Sequence, residues 1–392
     1  MTACPACGST DLEVFLRRAG VPVNSCLLLE DEQAARDFPR GDIELALCRS
    51  CAFVHNQAFD PLLATYSPDY EETQGFSEHF QAFIAGLARA WVDRYDLVGR
   101  RVVEIGCGKG EFMVQLLDAG VAGGVGVDPG LHPERLPRRV RGRFEAVQGF
   151  FPEDFPVLDV DAVVCRHTLE HIAPVGDWMR EVRRAIGPRS DTVVLFELPD
   201  VERVLQEGAF WDVYYEHCSY FGAGSLARLF RASGFDVVDL RRAYDDQYLL
   251  VEARLADGAP PTPPGASERD HARLGEAARR YATTERALAD HWRDRLTSVA
   301  ASGGRSVIWG SGSKGVAFLS AVGEAADAVA AAVDINPFKH GRYMAGTGHR
   351  IVAPGELVGL RPDLVVVMNE VYLPEISAEI AGLGLSPRVE AL

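Results

Sequence analysis

Apolar and polar positions change their spacing several times along this chain, and the changes mark out its parts. Between residues 76 and 96, Phe80, Phe83, Ile84, Leu87, Trp91, Val92 and Tyr95 recur at helical spacing and predict an amphipathic helix. Gly99 breaks the pattern. Short β-branched runs then alternate with helical stretches, and strands are predicted at 102–105, 124–127, 162–165, 192–197, 236–239 and 247–253. Such alternation predicts a doubly wound α/β sheet. Residues 268–298 are rich in Ala, Arg, Glu and Leu and read as one long helix, after which a second α/β pattern starts at Val307. The first sixty or so residues hold only two short apolar stretches, 12–16 and 43–47, too few for a core of their own. Between the two α/β patterns, Ala259-Pro-Pro-Thr-Pro-Pro-Gly265 puts four prolines into five positions, which neither helix nor sheet continues through. The expected division is a small module at 1–65, an α/β domain at 66–258, a linker at 259–267 and a second Rossmann-like domain at 268–392.

Composition narrows the class. With 392 residues, 47% apolar and 24% charged, the chain reads as soluble and globular, with two to three domains. Fifty-six acids against 40 Lys and Arg leave a formal charge of −16, which argues against a nucleic-acid or anionic-membrane partner. No apolar run approaches the length of a bilayer span. Met1-Thr-Ala-Cys-Pro has neither a basic nor an apolar leader region, so the expected location is cytoplasmic. The basic run Arg135, Arg138, Arg139, Arg141 and Arg143 reads as a solvated face, with a phosphate patch as the alternative.

Four of the eight cysteines form two knuckles, Cys4-Pro-Ala-Cys7 and Cys48-Arg-Ser-Cys51, separated by 40 residues. Two such pairs complete a tetrahedral, closed Zn²⁺ site, and a four-thiolate site is structural because it keeps no vacancy. The alternative is two redox pairs. Cys26, Cys107, Cys165 and Cys218 are scattered and read as small buried hydrophobes.

Val102-Val-Glu-Ile-Gly-Cys-Gly-Lys-Gly-Glu-Phe112 places Gly106, Gly108 and Gly110 after a strand and before a helix, where backbone N–H groups are free to meet a ligand. Asp128 ends the next strand, eighteen residues beyond Gly110, at the usual distance for a ribose-binding acid. Read alone, the turn also admits NAD. With Glu104 two residues ahead of the first glycine, it resembles the S-adenosylmethionine (SAM) loop of class I methyltransferases. The resemblance implies that Glu104 and Gly106 hold the amino acid end of SAM and that Asp128 holds the ribose. It sets Phe150, in Gly149-Phe-Phe-Pro-Glu-Asp154, near the adenine. The run from Asp161 to His171, with His167 in it, looks like the fourth-strand motif.

Tyr214-Tyr-Glu-His-Cys-Ser-Tyr-Phe221 is the densest cluster of ionisable and aromatic residues. A His with a carboxylate and phenols nearby can abstract a proton and steady the resulting oxyanion. Knuckles, SAM loop, this cluster and a C-terminal glycine domain, in that order, resemble the sugar C-methyltransferases of deoxysugar pathways, a class tied to antibiotic biosynthesis. Such enzymes methylate C3 of a nucleotide-linked 4-keto sugar. By that resemblance His217 is the base, Glu216 and Tyr214 support it, His171 is a second active-site His, and Tyr70 fills the role of an active-site Tyr ahead of the SAM domain.

Val307-Ile-Trp-Gly310-Ser-Gly312-Ser-Lys-Gly315 is a second glycine turn after a strand, followed by Asp334 at the acid's usual distance. On its own this reads as NAD binding, and the whole chain then reads as an oxidoreductase. The family likeness instead implies a nucleotide-sugar site that includes Asp334 and Lys339, with Ser313, Lys314 and helix N-terminal amides as a diphosphate cradle. The expected cofactors are SAM and a structural Zn²⁺, the expected partner a small nucleotide-linked ketosugar, and the expected assembly a monomer or homodimer. O- or N-methylation of a related acceptor, and a binding protein with relic nucleotide folds, remain the competing readings.

Overall fold

The computed structural model describes residues 3–64, 66–189, 191–256, 263–266 and 268–392, and in it three sheets carry the chain. The central sheet has seven strands in the order Phe235–Ala243, Tyr248–Leu255, Val193–Pro199, Ala162–Arg166, Arg101–Ile105, Gly123–Val127 and Phe144–Val147. All neighbours run parallel except Tyr248–Leu255, which is antiparallel to both of its partners. Chain order reverses at Arg101–Ile105, with the next strand on one side and a later one on the other. A crevice opens at the carboxyl end of that strand, where ligands of such sheets bind. The first glycine turn sits there.

The predicted helix at 76–96 is Glu78–Arg94. Ser77 caps it by accepting from the Phe80 N–H, and Phe80, Ile84, Leu87, Trp91 and Val92 form its buried face. Trp91 Nε1 donates to Glu252 at 2.9 Å, which ties the helix to the antiparallel strand.

The C-terminal sheet is wholly parallel, in the order Ile351–Val352, Val329–Val333, Ser306–Trp309, Leu364–Val367 and Arg388–Ala391. The long helix runs His271–Ala301 and buries Leu274, Tyr281, Trp292 and Leu296. Tyr281 meets Phe15 edge-on at 6.2 Å, and Trp292 meets Phe318 at 5.7 Å. One hydrophobic core therefore joins the N-terminal module, this helix and the C-terminal sheet. Cutting Trp292 or Phe318 back to Ala costs about 3–5 kcal/mol by the usual large-to-small measure. Most of the proline-rich stretch 259–267 lies outside the described residues.

The first sheet is antiparallel: Leu12–Pro22, Arg40–Cys48, Val54–Asn56 and, as its fourth strand, Ser219–Tyr220. That last strand comes from the central domain, so the sheet is not confined to the first 65 residues. Val54 pairs with Tyr220 and His55 with Ser219. Among the described residues, no helix is long and apolar enough to cross a membrane.

Candidate active site

The first glycine turn is built from left-handed backbone: φ is +70° at Gly106, +52° at Gly108 and +80° at Gly110. At Gly106 space is a second constraint, because a Cβ there would lie 1.8 Å from Thr168 Oγ1. Behind the turn, Glu104 is buried and its Oε2 has no hydrogen-bond partner. Burial pushes its carboxyl up to about 8, against the pull of Arg166. An orphaned buried acceptor of this kind fits the ammonium of an amino acid ligand. Asp128 spends one lone pair on each side: Oδ2 accepts from Gly108 N at 2.9 Å and Oδ1 from Gly130 N at 2.6 Å. A carboxylate accepts about four hydrogen bonds, so acceptor capacity remains for hydroxyls. Lys109, within the turn, is buried and donates to the Tyr70 and Gly130 carbonyls at 2.7 and 2.8 Å. Its clamp on the 66–77 segment spans 39 residues and was not read from the sequence. Phe150 stands half-exposed at the cavity rim.

His167, in a left-handed conformation at φ +50°, gives Nε2 to Glu197 at 2.8 Å. Burial works against its charge, but Glu170 and Glu197 outweigh it and raise its pKa to about 9. Arg166 forks onto the same Glu197, so the fourth-strand motif is a buried ionic knot that lines the cavity. Four of the five arginines in the basic run are likewise committed: Arg135 to Glu71, Arg139 to Asp118, Arg141 and Arg143 to backbone carbonyls.

His217 lies deeper. Tyr214 Oη is 2.9 Å from its Nε2, and the His171 ring is 4.8 Å away, edge to face. Burial, with the His171, His167 and Lys314 charges, pushes His217 well below the ordinary imidazole range, so the ring is neutral at pH 7. Burial also keeps the Tyr214 phenol protonated. His171 Nδ1 reaches Tyr66 Oη at 2.8 Å and the Glu216 carbonyl at 3.1 Å.

Glu216 departs from its expected role. Its carboxylate accepts from Ser25 N at 2.7 Å, Ser25 Oγ at 2.8 Å and Tyr70 Oη at 3.2 Å, and so turns away from His217. The physical reason is burial: a carboxyl pushed up to about 7 needs donors, and Ser25 and Tyr70 supply them where the neighbouring imidazole cannot. Tyr70 therefore serves Glu216, while Tyr66, not singled out from the sequence, is a second phenol, beside Tyr214, that touches a histidine.

The second glycine turn faces the first across a single cavity of about 500 Å³, lined by Glu104, His171, His217, Tyr214, Ser313, Lys314, Asp334 and Lys339 among others. Its charges are already matched. Lys314 pairs with Asp212 at 2.7 Å and Lys339 with Asp334 at 3.4 Å. Asp334 also accepts from Ser311 N, Ser311 Oγ and Asn336 N, which stitches the turn rather than presenting a free acid to a ribose. Ser25 Oγ bonds both Glu216 and Ser313 Oγ (2.7 Å), so one serine of the N-terminal module bridges the other two parts. Outside the cavity lining, Cys4 and Cys51 sulfurs are 3.7 Å apart and Cys7 and Cys48 sulfurs 3.6 Å. Four sulfurs around one ion at about 2.3 Å stand about 3.8 Å from one another, so this cluster fits tetrahedral Zn²⁺.

The model of the methyltransferase-domain family matches residues 76–240, and that of the C-methyltransferase C-terminal domain matches residues 268–383. The chain is a SAM-dependent methyltransferase. Its central sheet is the Rossmann-like core of the class I enzymes, and the orphaned Glu104 and the free capacity of Asp128 suit that cofactor. The methyltransferase is 26% identical over 393 residues to the C-methyltransferase NovU of Streptomyces niveus, covering 95% of this chain and 90% of that protein. Among solved structures it is similar to the N,N-8-amino-8-demethyl-D-riboflavin dimethyltransferase RosA of Streptomyces davawensis, with 23% identity and a TM-score of 0.38 over 45% of this chain and 55% of that one. A 1,6-didemethyltoxoflavin-N1-methyltransferase of Burkholderia thailandensis is 18% identical, with a TM-score of 0.38 over 52% of this chain and 96% of that one.

Proposed function

We propose that this methyltransferase alkylates carbon next to a ketone, on a nucleotide-linked 4-keto sugar. The observation that carries the reading is the placement of a neutral, buried His217 in the one cavity that both glycine turns line. NovU, similar along nearly the whole chain, is itself a C-methyltransferase, which supports carbon as the acceptor atom. SAM, held by Glu104, the Gly106–Gly110 turn and Asp128, supplies an electrophilic methyl group.

The ketone acidifies the neighbouring C–H, so a base of modest strength removes that proton. With Nε2–H donated to Tyr214 Oη, the Nδ1 lone pair of His217 is free to take it. A protonated phenol, Tyr214 or Tyr66, donates a hydrogen bond to the developing enolate oxygen. The nucleotide end lies along the second turn, where Ser313 and the N-terminus of helix Ser313–Val322 offer donors. Lys314 and Lys339, each carrying its own carboxylate, shape that wall more than they charge it. A structural Zn²⁺ on Cys4, Cys7, Cys48 and Cys51 fastens the sheet whose fourth strand begins two residues after His217.

In D₂O with a nucleotide-linked 4-keto sugar, the hydrogen alpha to the ketone exchanges in the wild type, and labelled methyl from SAM appears on that carbon. His217→Asn abolishes both. Methyl transfer to oxygen with no exchange at carbon would sink the reading.

A further inference from the structure

Glu170 is a buried carboxylate that the mechanism does not use. Glu170 is 2% exposed, and neither of its carboxylate oxygens receives a hydrogen bond. The nearest cation is the His167 ring, whose Nδ1 lies 3.5 Å from Glu170 while its Nε2 bonds Glu197. With His167 on one oxygen, the carboxylate keeps acceptor capacity for a second cation. Two imidazoles stand ready to share one: the ligand atoms of Glu170, His171 and His217 all lie within 4.8 Å of one another. Two histidines and a carboxylate, with open positions beyond them, are the donor set of a facial triad for divalent transition ions. Atoms on one ion at about 2.1 Å sit roughly 3 to 3.5 Å apart, so rotamer shifts of about an ångström close the cluster.

The outer contacts also suit a metal. A ligating histidine commonly donates its other N–H to a carbonyl or hydroxyl, which fixes the tautomer and aims the lone pair. His171 has the Glu216 carbonyl and Tyr66 Oη at Nδ1, which leaves Nε2. His217 has Tyr214 Oη at Nε2, which leaves Nδ1. The nearby cations bring their own counter-charges, Lys314 with Asp212 and His167 with Glu197, so the site is not walled off by repulsion.

We propose that Glu170, His171 and His217 form a second metal site, taking a divalent transition ion such as Co²⁺, Ni²⁺ or Zn²⁺, and that its occupation ties up the lone pair of His217 and halts methyl transfer. The second half rests on His217 being the base, as argued above. Mg²⁺, which prefers oxygen ligands, is not expected to bind here.

The test uses full-length enzyme loaded with zinc at the cysteines, desalted, and titrated with Co²⁺. The expected result is one equivalent of Co²⁺ with nitrogen and oxygen ligand-field bands and no thiolate charge-transfer bands. Methyl transfer should fall with the same midpoint and return on chelation. Glu170→Gln and, separately, His171→Asn should each move the binding midpoint upward about tenfold or more, with circular dichroism showing both folded. Absence of new bands, bands of thiolate type only, or an unshifted midpoint in both variants would overturn the site. Binding with undiminished turnover would overturn the blockade instead. The exchange experiment on metal-free enzyme tests the base separately, so the two failures are distinguishable.

Discussion

At the residue scale, the site turns on which phenol meets which partner. Tyr66 touches His171, and Tyr70 touches Glu216. On the proposed function, Tyr66→Phe removes one hydrogen bond to the His171 imidazole, so kcat should fall about tenfold with KM for the acceptor little changed, while Tyr70→Phe should act more weakly; steady-state kinetics on both variants measures the difference. Sequence reasoning found the Tyr214–His217 pair because its members lie three residues apart. It did not foresee the Ser25–Glu216 bond across 191 residues or the Tyr66–His171 bond across 105. Local patterns carry no information on contacts of that span; only the packing of separate elements makes them.

At the scale of elements, the fourth-strand end is a charge knot whose stability depends on pH. The folded protein holds His167 at about 9 against an ordinary 6.5, so it binds that proton more tightly than the unfolded chain does. The stabilisation is therefore complete below about pH 6.5 and lost as pH rises through 9, amounting to no more than about 3 kcal/mol. Tm should decline between pH 7 and 9, and His167→Asn should flatten that decline; calorimetry across the range checks both. Glu197, held near 2 by Arg166 and His167 in spite of burial, works the other way and weakens the fold only in strong acid. Six of the seven central strands were legible as short buried β-branched runs, whereas Phe144–Val147 was not among those predicted. The two-residue strand Ser219–Tyr220 was not: its pairing with Val54 and His55 depends on where the module docks, and two residues show no period.

For the whole molecule, the three parts act as one body around one cavity. Arg18 of the first strand donates to the Phe210 and Val213 carbonyls and pairs with Glu285 of the long helix, so the N-terminal module is tied both to the segment before Tyr214 and to that helix. Stripping metal from the cysteines, or Cys48→Ser, should lower Tm by several degrees and kcat in parallel, and re-addition of Zn²⁺ should restore both in the stripped wild type. A loss of stability without loss of turnover would show that the cysteine cluster and the imidazole are mechanically independent. The second glycine turn shows the limit of motif reading in another way. Its lysines and acid were visible in the string, but their mutual neutralisation appears only when Asp212 and Asp334 are seen beside them.

The borrowed strand makes the catalytic loop an unfinished object on its own. A central domain expressed without residues 1–65 would present Ser219–Tyr220 as a bare edge, with main-chain donors and acceptors facing solvent. The imidazole two positions upstream would lose its mooring, however intact the SAM crevice remained. Such a fragment should still take up the cofactor in an equilibrium-dialysis experiment and yet exchange no carbon-bound hydrogen.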